Sequence, residues 1–440
     1  MKTYRFTSAL VGTVLILATG WSLVHAESSP VGKKALSGTY VNFLEAREAM
    51  AAGKPVTAAR SAVIPVPSSG FQLLSARDLG DEGGGGLPIF SFDARAARDG
   101  HRYKGTMIGS SPFTNPQSVS VPAFIVPVIL HIHSIATAIN PKTGKITSVP
   151  GDFTVDPTAH DNVCLAAPNT VPAKVLRQSP IFEPANFSFG GTSVGKTQYI
   201  DAFMRANFFG LRGVADNYHL KFGPVNTLRA IEIDVPAIEG VAIDAKTFFG
   251  GCGTLTFIDL SWWDQLLNAS LLPELAEQGV NASNLPVFFM YNTVLGGPSI
   301  GLGDCCVGGY HSLAGFPTPT ATYSVADFDT TGLFGVAFAN TAVIAHELGE
   351  WANDPYTINL VPPWGGTGQV GAGCQGNLEV GDPLTGTVVP TVTQPNGFTY
   401  DLQELAFFSW FFGGPSIGIN GWFSNNGTFT TDAGTPCLLQ

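Results

Sequence analysis

The chain has 440 residues and a formal net charge of −11, with only 12% of its residues charged. That acidic balance argues against nucleic acid and anionic membranes as partners. The 52 glycines and 31 prolines point to a loop-rich, strand-rich protein rather than a helical bundle.

The first element is an export signal. Lys2 and Arg5 precede an apolar run, Ala9–Leu17, and the small-residue stretch Val24-His25-Ala26, so residues 1–26 read as a signal peptide cleaved after Ala26. The mature chain is then expected in the periplasm or outside the cell. No transmembrane segment is expected after cleavage, because Gly413-Gly414-Pro415 splits the apolar stretch Ala406–Phe423.

Residues 27–115 read as a leader, linker or propeptide-like segment. Tyr40–Ala51 is a candidate helix, and Pro65, Pro67 and Gly83–Gly86 punctuate the rest. Residues 116–286 read as a β-rich domain. Its strand candidates are Val121–His133, whose prolines suggest an edge position or a bulge, Ala230–Val235 and Thr254–Leu260. Helices are expected at Thr197–Phe208 and Trp262–Leu272. In residues 287–440, strands at Val287–Val294 and Thr322–Val325 precede a long helix, Val336–Asn353, and a last helix at Tyr400–Phe412. The expected fold class is α+β, a β-rich N-terminal body followed by a region carrying an active-site helix. The aromatic pairs and runs, Trp262-Trp263 and Phe407–Phe412, read as core packing.

All six cysteines lie beyond the signal, and in an exported chain an even count implies disulfides. The preferred pairs are Cys164–Cys252 and Cys374–Cys437, with Cys305 and Cys306 pairing together or with others.

The chemistry concentrates in Thr341–Pro355, TAVIAHELGEWANDP. The apolar residues favour a helix and Asp354-Pro355 ends it. His346 and Glu350 are four residues apart and share a face, so they suit two ligands of one metal ion, and Glu347 suits a general base toward water. Asp354 reads as a helix-end carboxylate. A third ligand must come from elsewhere, and the next acidic cluster is Asn377–Asp382.

HELGE followed by NLEVGD resembles the gluzincin type of zincin metallopeptidase, in which an HExxH helix precedes a third-ligand Glu in an NExxSD-like segment. The resemblance covers about 40 residues and departs at Glu350, which stands where the second His would be, and at Leu378 and Asp382. It implies a zincin-like region over residues 287–440, His346, Glu350 and Glu379 as metal ligands, Glu347 as catalytic base, and Asp382 as a carboxylate orienting His346. The cofactor expected is a divalent metal, zinc favoured, with manganese, iron and calcium also suited to a His/Glu/Glu set. The function expected is a secreted metal-dependent hydrolase acting on a peptide or protein substrate. The alternative is a non-catalytic secreted or envelope-associated binding protein with a structural metal or none.

Three other constellations read as structure. His131 and His133 share a strand face and would need His160 or His219 to complete a three-His site. Gly309-Tyr310-His311-Ser312 reads as a loop beside Cys305-Cys306, although Tyr310 or His311 could donate to an oxyanion. Gly191-Thr192-Ser193-Val194-Gly195 matches the serine-hydrolase elbow formally but reads as a glycine-rich loop.

Overall fold

The structure is a computed structural model that describes residues 38–40, 71–79, 86–297, 301–314, 321–365, 374–432 and 435–436. The expected signal peptide, most of the expected 40–51 helix and Cys437, the expected partner of Cys374, lie outside the described residues.

The body is a closed seven-stranded β-barrel. Its strands are β1 (Ser118–Ile139), β2 (Gly240–Asp244), β3 (Thr254–Asp259), β4 (Leu285–Tyr291), β5 (Thr293–Gly296), β6 (Cys305–Ala314) and β7 (Ala321–Phe328). The ring runs β6-β5-β3-β2-β1-β4-β7 and closes where β7 pairs antiparallel with β6. The other pairings mix directions: β1 with β4 and β4 with β7 are parallel, β2 with β3 antiparallel. Strands from both sides of residue 287 build the one barrel.

This corrects the α+β expectation: among the described residues the helices are few and short, and the architecture is a barrel rather than a zincin fold. The physical reason lies in the buried strands. Every residue of β4 and β7 is buried, and each pairs with a strand distant in sequence, β4 with β1 and β7 with β4, an order that local periodicity does not encode. β1 corrects the edge-strand expectation as well. It pairs with β2 and β4 and also with strands at Ile146–Val155, His219–Thr227 and Ile231–Val235. The proline signal survives locally, because the register with residues 219–227 shifts between Val121 and Ala123, around Pro122.

Single residues set other boundaries. Asn292, at φ 47°, divides the expected 287–294 strand into β4 and β5. Helix α1 (Tyr199–Asn207) falls within its expected range. Helix α2 (Leu260–Leu266) continues through a π turn at Leu267–Leu271 before Pro273, which relieves the clash a proline makes with the preceding turn. Helix α3 (Ala342–Asn353) begins later than expected, after Asn340 at φ 37°. Of the expected 400–412 helix only α4 (Phe408–Phe412) forms. The preceding residues bond to other segments instead: Glu404 N–H donates to the Thr387 carbonyl and Ala406 N–H to that of Val380.

Part of the expected leader belongs to the folded body. Strands at Gln72–Asp78, Ile89–Arg95 and Arg102–Ile108 form an antiparallel sheet, and Phe92 packs edge-on against Phe408 and Phe412. Cys164 is bonded to Cys252, and Cys305 to Cys306. Among the described residues, no helix is long and apolar enough to cross a membrane.

Candidate metal centre

Helix α3 lies across β6 and β7, every one of its residues buried. The Trp351 indole fixes it by donating to Thr322 Oγ1 of β7 at 2.9 Å. At its far end the Asp354 carboxylate accepts the N–H groups of Ile358 and Asn359, so Asp354 is the helix-end carboxylate the sequence suggested.

His346, Glu347 and Glu350 point from α3 into the protein, each wholly buried. His346 Nε2 lies 2.9 Å from Glu350 Oε1 and 3.4 Å from Asp382 Oδ1. The 377–384 segment comes this close because residue 381 is glycine: a Cβ there would stand 2.5 Å from His346 Cγ. The bare backbone lets the N–H groups of Gly381 and Asp382 donate to Glu350 Oε1 at 3.1 and 3.2 Å.

β6 adds a residue that the sequence reading placed in a loop. Side chains alternate along β6, so Tyr310 turns away to donate to Asp264 Oδ1 while His311 faces α3. His311 Nδ1 lies 3.6 Å from Glu347 Oε2 and 3.7 Å from Glu350 Oε2.

Hydrogen bonds fix the outer nitrogen of each ring as a donor. Gln403 Nε2 donates to the Gly381 carbonyl at 2.6 Å, so its Oε1, 2.9 Å from His346 Nδ1, is an acceptor and Nδ1 carries the hydrogen. His311 Nε2, 3.0 Å from the Asp354 carbonyl, is a donor for the same reason. Each imidazole is thereby held by its outer nitrogen and turns its other nitrogen toward Glu350, as metal-ligating histidines do. The partner on His346 Nδ1 is thus Gln403, and Asp382 sits on the ligand side of the ring.

The charges follow the same geometry. Burial opposes charge on His346, but Glu350, Asp382 and Glu347 outweigh it and raise its pKa well above the ordinary value. Burial likewise opposes charge on His311, and Glu347, Glu350 and Asp354 raise it. Glu350 is pushed up by burial and pulled further down by the two imidazoles and the Gly381 N–H. Burial and the neighbouring Glu350 carry Asp382 up to about 7.

The sequence-derived trio does not converge on one point. Around Glu350 stand two buried trios, His346/Glu350/Asp382 and His311/Glu350/Glu379, each with its ligand atoms within 4.8 Å of one another. Glu379 joins His311 rather than His346. The donors suit a divalent cation. They are imidazole nitrogens and carboxylate oxygens, and His311 Nδ1, His346 Nε2 and Glu350 Oε2 are buried without a hydrogen-bond partner.

The competing constellations resolve as structure. His131 and His133 do share a face, but they meet Glu232, Asp152 and Asp234 rather than a third histidine. His219 pairs with Asp201, and His160 bonds to Thr170. Ser193 lies inside a hairpin strand, Thr192–Thr197, so no elbow forms.

No family model matches this chain, and neither does any curated protein or solved structure.

Proposed function

We propose that the chain is an exported metal-dependent hydrolase whose cation is held around Glu350, with Glu347 as general base. The observation that carries the reading is the orientation of the two rings, each held by its outer nitrogen so that His346 Nε2 and His311 Nδ1 face one carboxylate. A divalent cation there would polarise a scissile carbonyl and acidify water. Glu347, one helical step from His346 and 3.6 Å from His311 Nδ1, would take a proton from that water. Zinc is the favoured ion, and manganese, iron and calcium accept the same donors. Peptide bonds are the proposed substrate class, on the strength of the HELGE and NLEVGD residues alone. Export rests on the order of residues in 1–26, and the Cys164–Cys252 bond fits an oxidising compartment.

A second reading is a secreted binding protein with a structural cation. It is favoured by the complete burial of His311, His346, Glu350 and Glu379, since catalytic sites keep a position open to substrate.

Metal analysis and peptide cleavage separate the two. Under the hydrolase reading, the purified chain carries stoichiometric metal and cleaves members of a broad peptide library. Glu347→Gln then abolishes cleavage with metal content unchanged. Metal without cleavage selects the structural reading, and absence of metal removes both.

A further inference from the structure

Glu350 shows its two carboxylate oxygens to different partners. Oε1 lies beside His346 Nε2 at 2.9 Å, and Oε2 faces His311 Nδ1 at 3.7 Å. Asp382 completes the first trio and Glu379 the second, and among the described residues no larger set of ligand atoms lies within 4.8 Å of one another. Metal–ligand bonds of about 2.0–2.2 Å put the donors of one ion at most roughly 4.4 Å apart. A single ion therefore takes one trio and leaves the donors of the other unused. Each trio has a buried imidazole nitrogen without a hydrogen-bond partner aimed into it, His346 Nε2 in the first and His311 Nδ1 in the second, where Glu350 Oε2 is a further such atom.

We propose that this is a two-cation site in which Glu350 bridges, its Oε1 toward an ion held with His346 and Asp382 and its Oε2 toward an ion held with His311 and Glu379. The proposal rests on the metal-binding reading above and extends it. One carboxylate shared between two ions sets them a few ångströms apart, the arrangement of two-metal hydrolytic sites. Each ion would keep three protein donors and an open position. The wholly buried setting holds the bridge rigid: Glu350 is anchored by its helix and by the Gly381 and Asp382 N–H groups.

The test is stoichiometry on the full mature chain. The chain is stripped with chelator, reloaded with zinc or manganese, desalted and measured by elemental analysis. The expected result is two ions per chain in the wild type and one in both His311→Gln and Asp382→Asn. Manganese-loaded wild type should also give the electron-spin resonance of a coupled ion pair, a readout that depends on no variant folding. One ion per chain with the spectrum of isolated manganese overturns the two-cation proposal and leaves metal binding standing. No ion overturns both.

Discussion

Gly381→Ala is the sharpest perturbation of the cluster, because it adds one methyl group where the structure leaves no room. The new Cβ would lie 2.5, 2.6 and 2.7 Å from Cγ, Cδ2 and Nδ1 of His346. Ordinary carbon contacts are about 3.5–4.0 Å, so the ring or the loop must move by roughly 1 Å. Neither is free to move. The ring is held by Gln403 on one side and Glu350 on the other, and residue 381 uses its N–H on Glu350 and its carbonyl on Gln403. Overpacking of this kind costs about 1–3 kcal/mol, and one lost buried hydrogen bond adds about 1 kcal/mol. A folded body of roughly 350 residues has an unfolding entropy near 0.7 kcal/mol/K at about 2.1 cal/mol/K per residue. Together these give a fall in melting temperature of about 3–6 °C. Under the proposed metal-binding reading, displacing the His346 ring should also weaken metal binding by roughly 10–100-fold, as loss of a ligand's supporting contact does. Scanning calorimetry and competition with a chromophoric chelator measure both effects. A Gly381→Ala protein that melts within a degree of the wild type and binds metal equally would refute the close approach of the loop to His346.

Two further outcomes follow from single residues. Gln403→Leu removes the acceptor for His346 Nδ1–H and the donor to the Gly381 carbonyl. Leaving both groups buried and unpaired should cost about 2–6 kcal/mol and shift the His346 Nδ1 resonance; an unchanged Nδ1 resonance would mean that another group orients the ring. Burial raises the Asp329 carboxyl from its ordinary 3.8 to about 6, against the lowering effect of the Thr331 hydroxyl and of the Thr331 and Gly332 N–H groups. A carboxyl with a raised folded-state pKa contributes stability that is full below the unfolded value and is lost as pH rises through the folded one. Asp329→Asn should therefore flatten the dependence of the urea midpoint on pH between about 4 and 6. An unaltered slope in the variant would assign that dependence to other groups.

The residues that were legible in the sequence are those whose signal is local. The helix of TAVIAHELGEWANDP is written in its apolar spacing and its Asp-Pro end, and the i to i+4 relation of His346 and Glu350 follows from helix geometry alone. The arrival of Glu379 and Asp382 beside that helix was legible as an acidic cluster downstream and through the resemblance carried by NLEVGD, although Glu379 joins His311 rather than His346. The barrel was not legible, because it depends on pairings between distant segments, β1 with β4 and β4 with β7, that no local pattern carries, and because Asn292 and Asn340 break elements at positions where no proline marks a break. Phe408–Phe412 shows the reverse effect. The run 400–412 has helical spacing, yet its first half gives its backbone hydrogen bonds to Thr387, Val380 and Phe423, a tertiary choice that overrides local preference.

His311 is the instructive omission. CCVGGYHSLA is rich in glycine and carries two adjacent cysteines, which is the composition of a loop, whereas the structure makes it a barrel strand. One of those glycines has a packing reason. A Cβ on Gly309 would lie 2.7 Å from the Val325 carbonyl and 3.0 Å from Glu347 Cγ, so the bare strand is what lets α3 settle on β6. The same close contact then brings the next side chain on that face, His311, to Glu347 and Glu350. An HExxH helix supplies two imidazoles one turn apart. Here the helix supplies one, Glu350 stands in the second place, and the second imidazole comes from the neighbouring strand to the free oxygen of that same Glu350. Glu350, at the position where an HExxH helix has its second histidine, is therefore a carboxylate with two faces, and a rule based on spacing along one helix has no term for a donor offered from across the sheet.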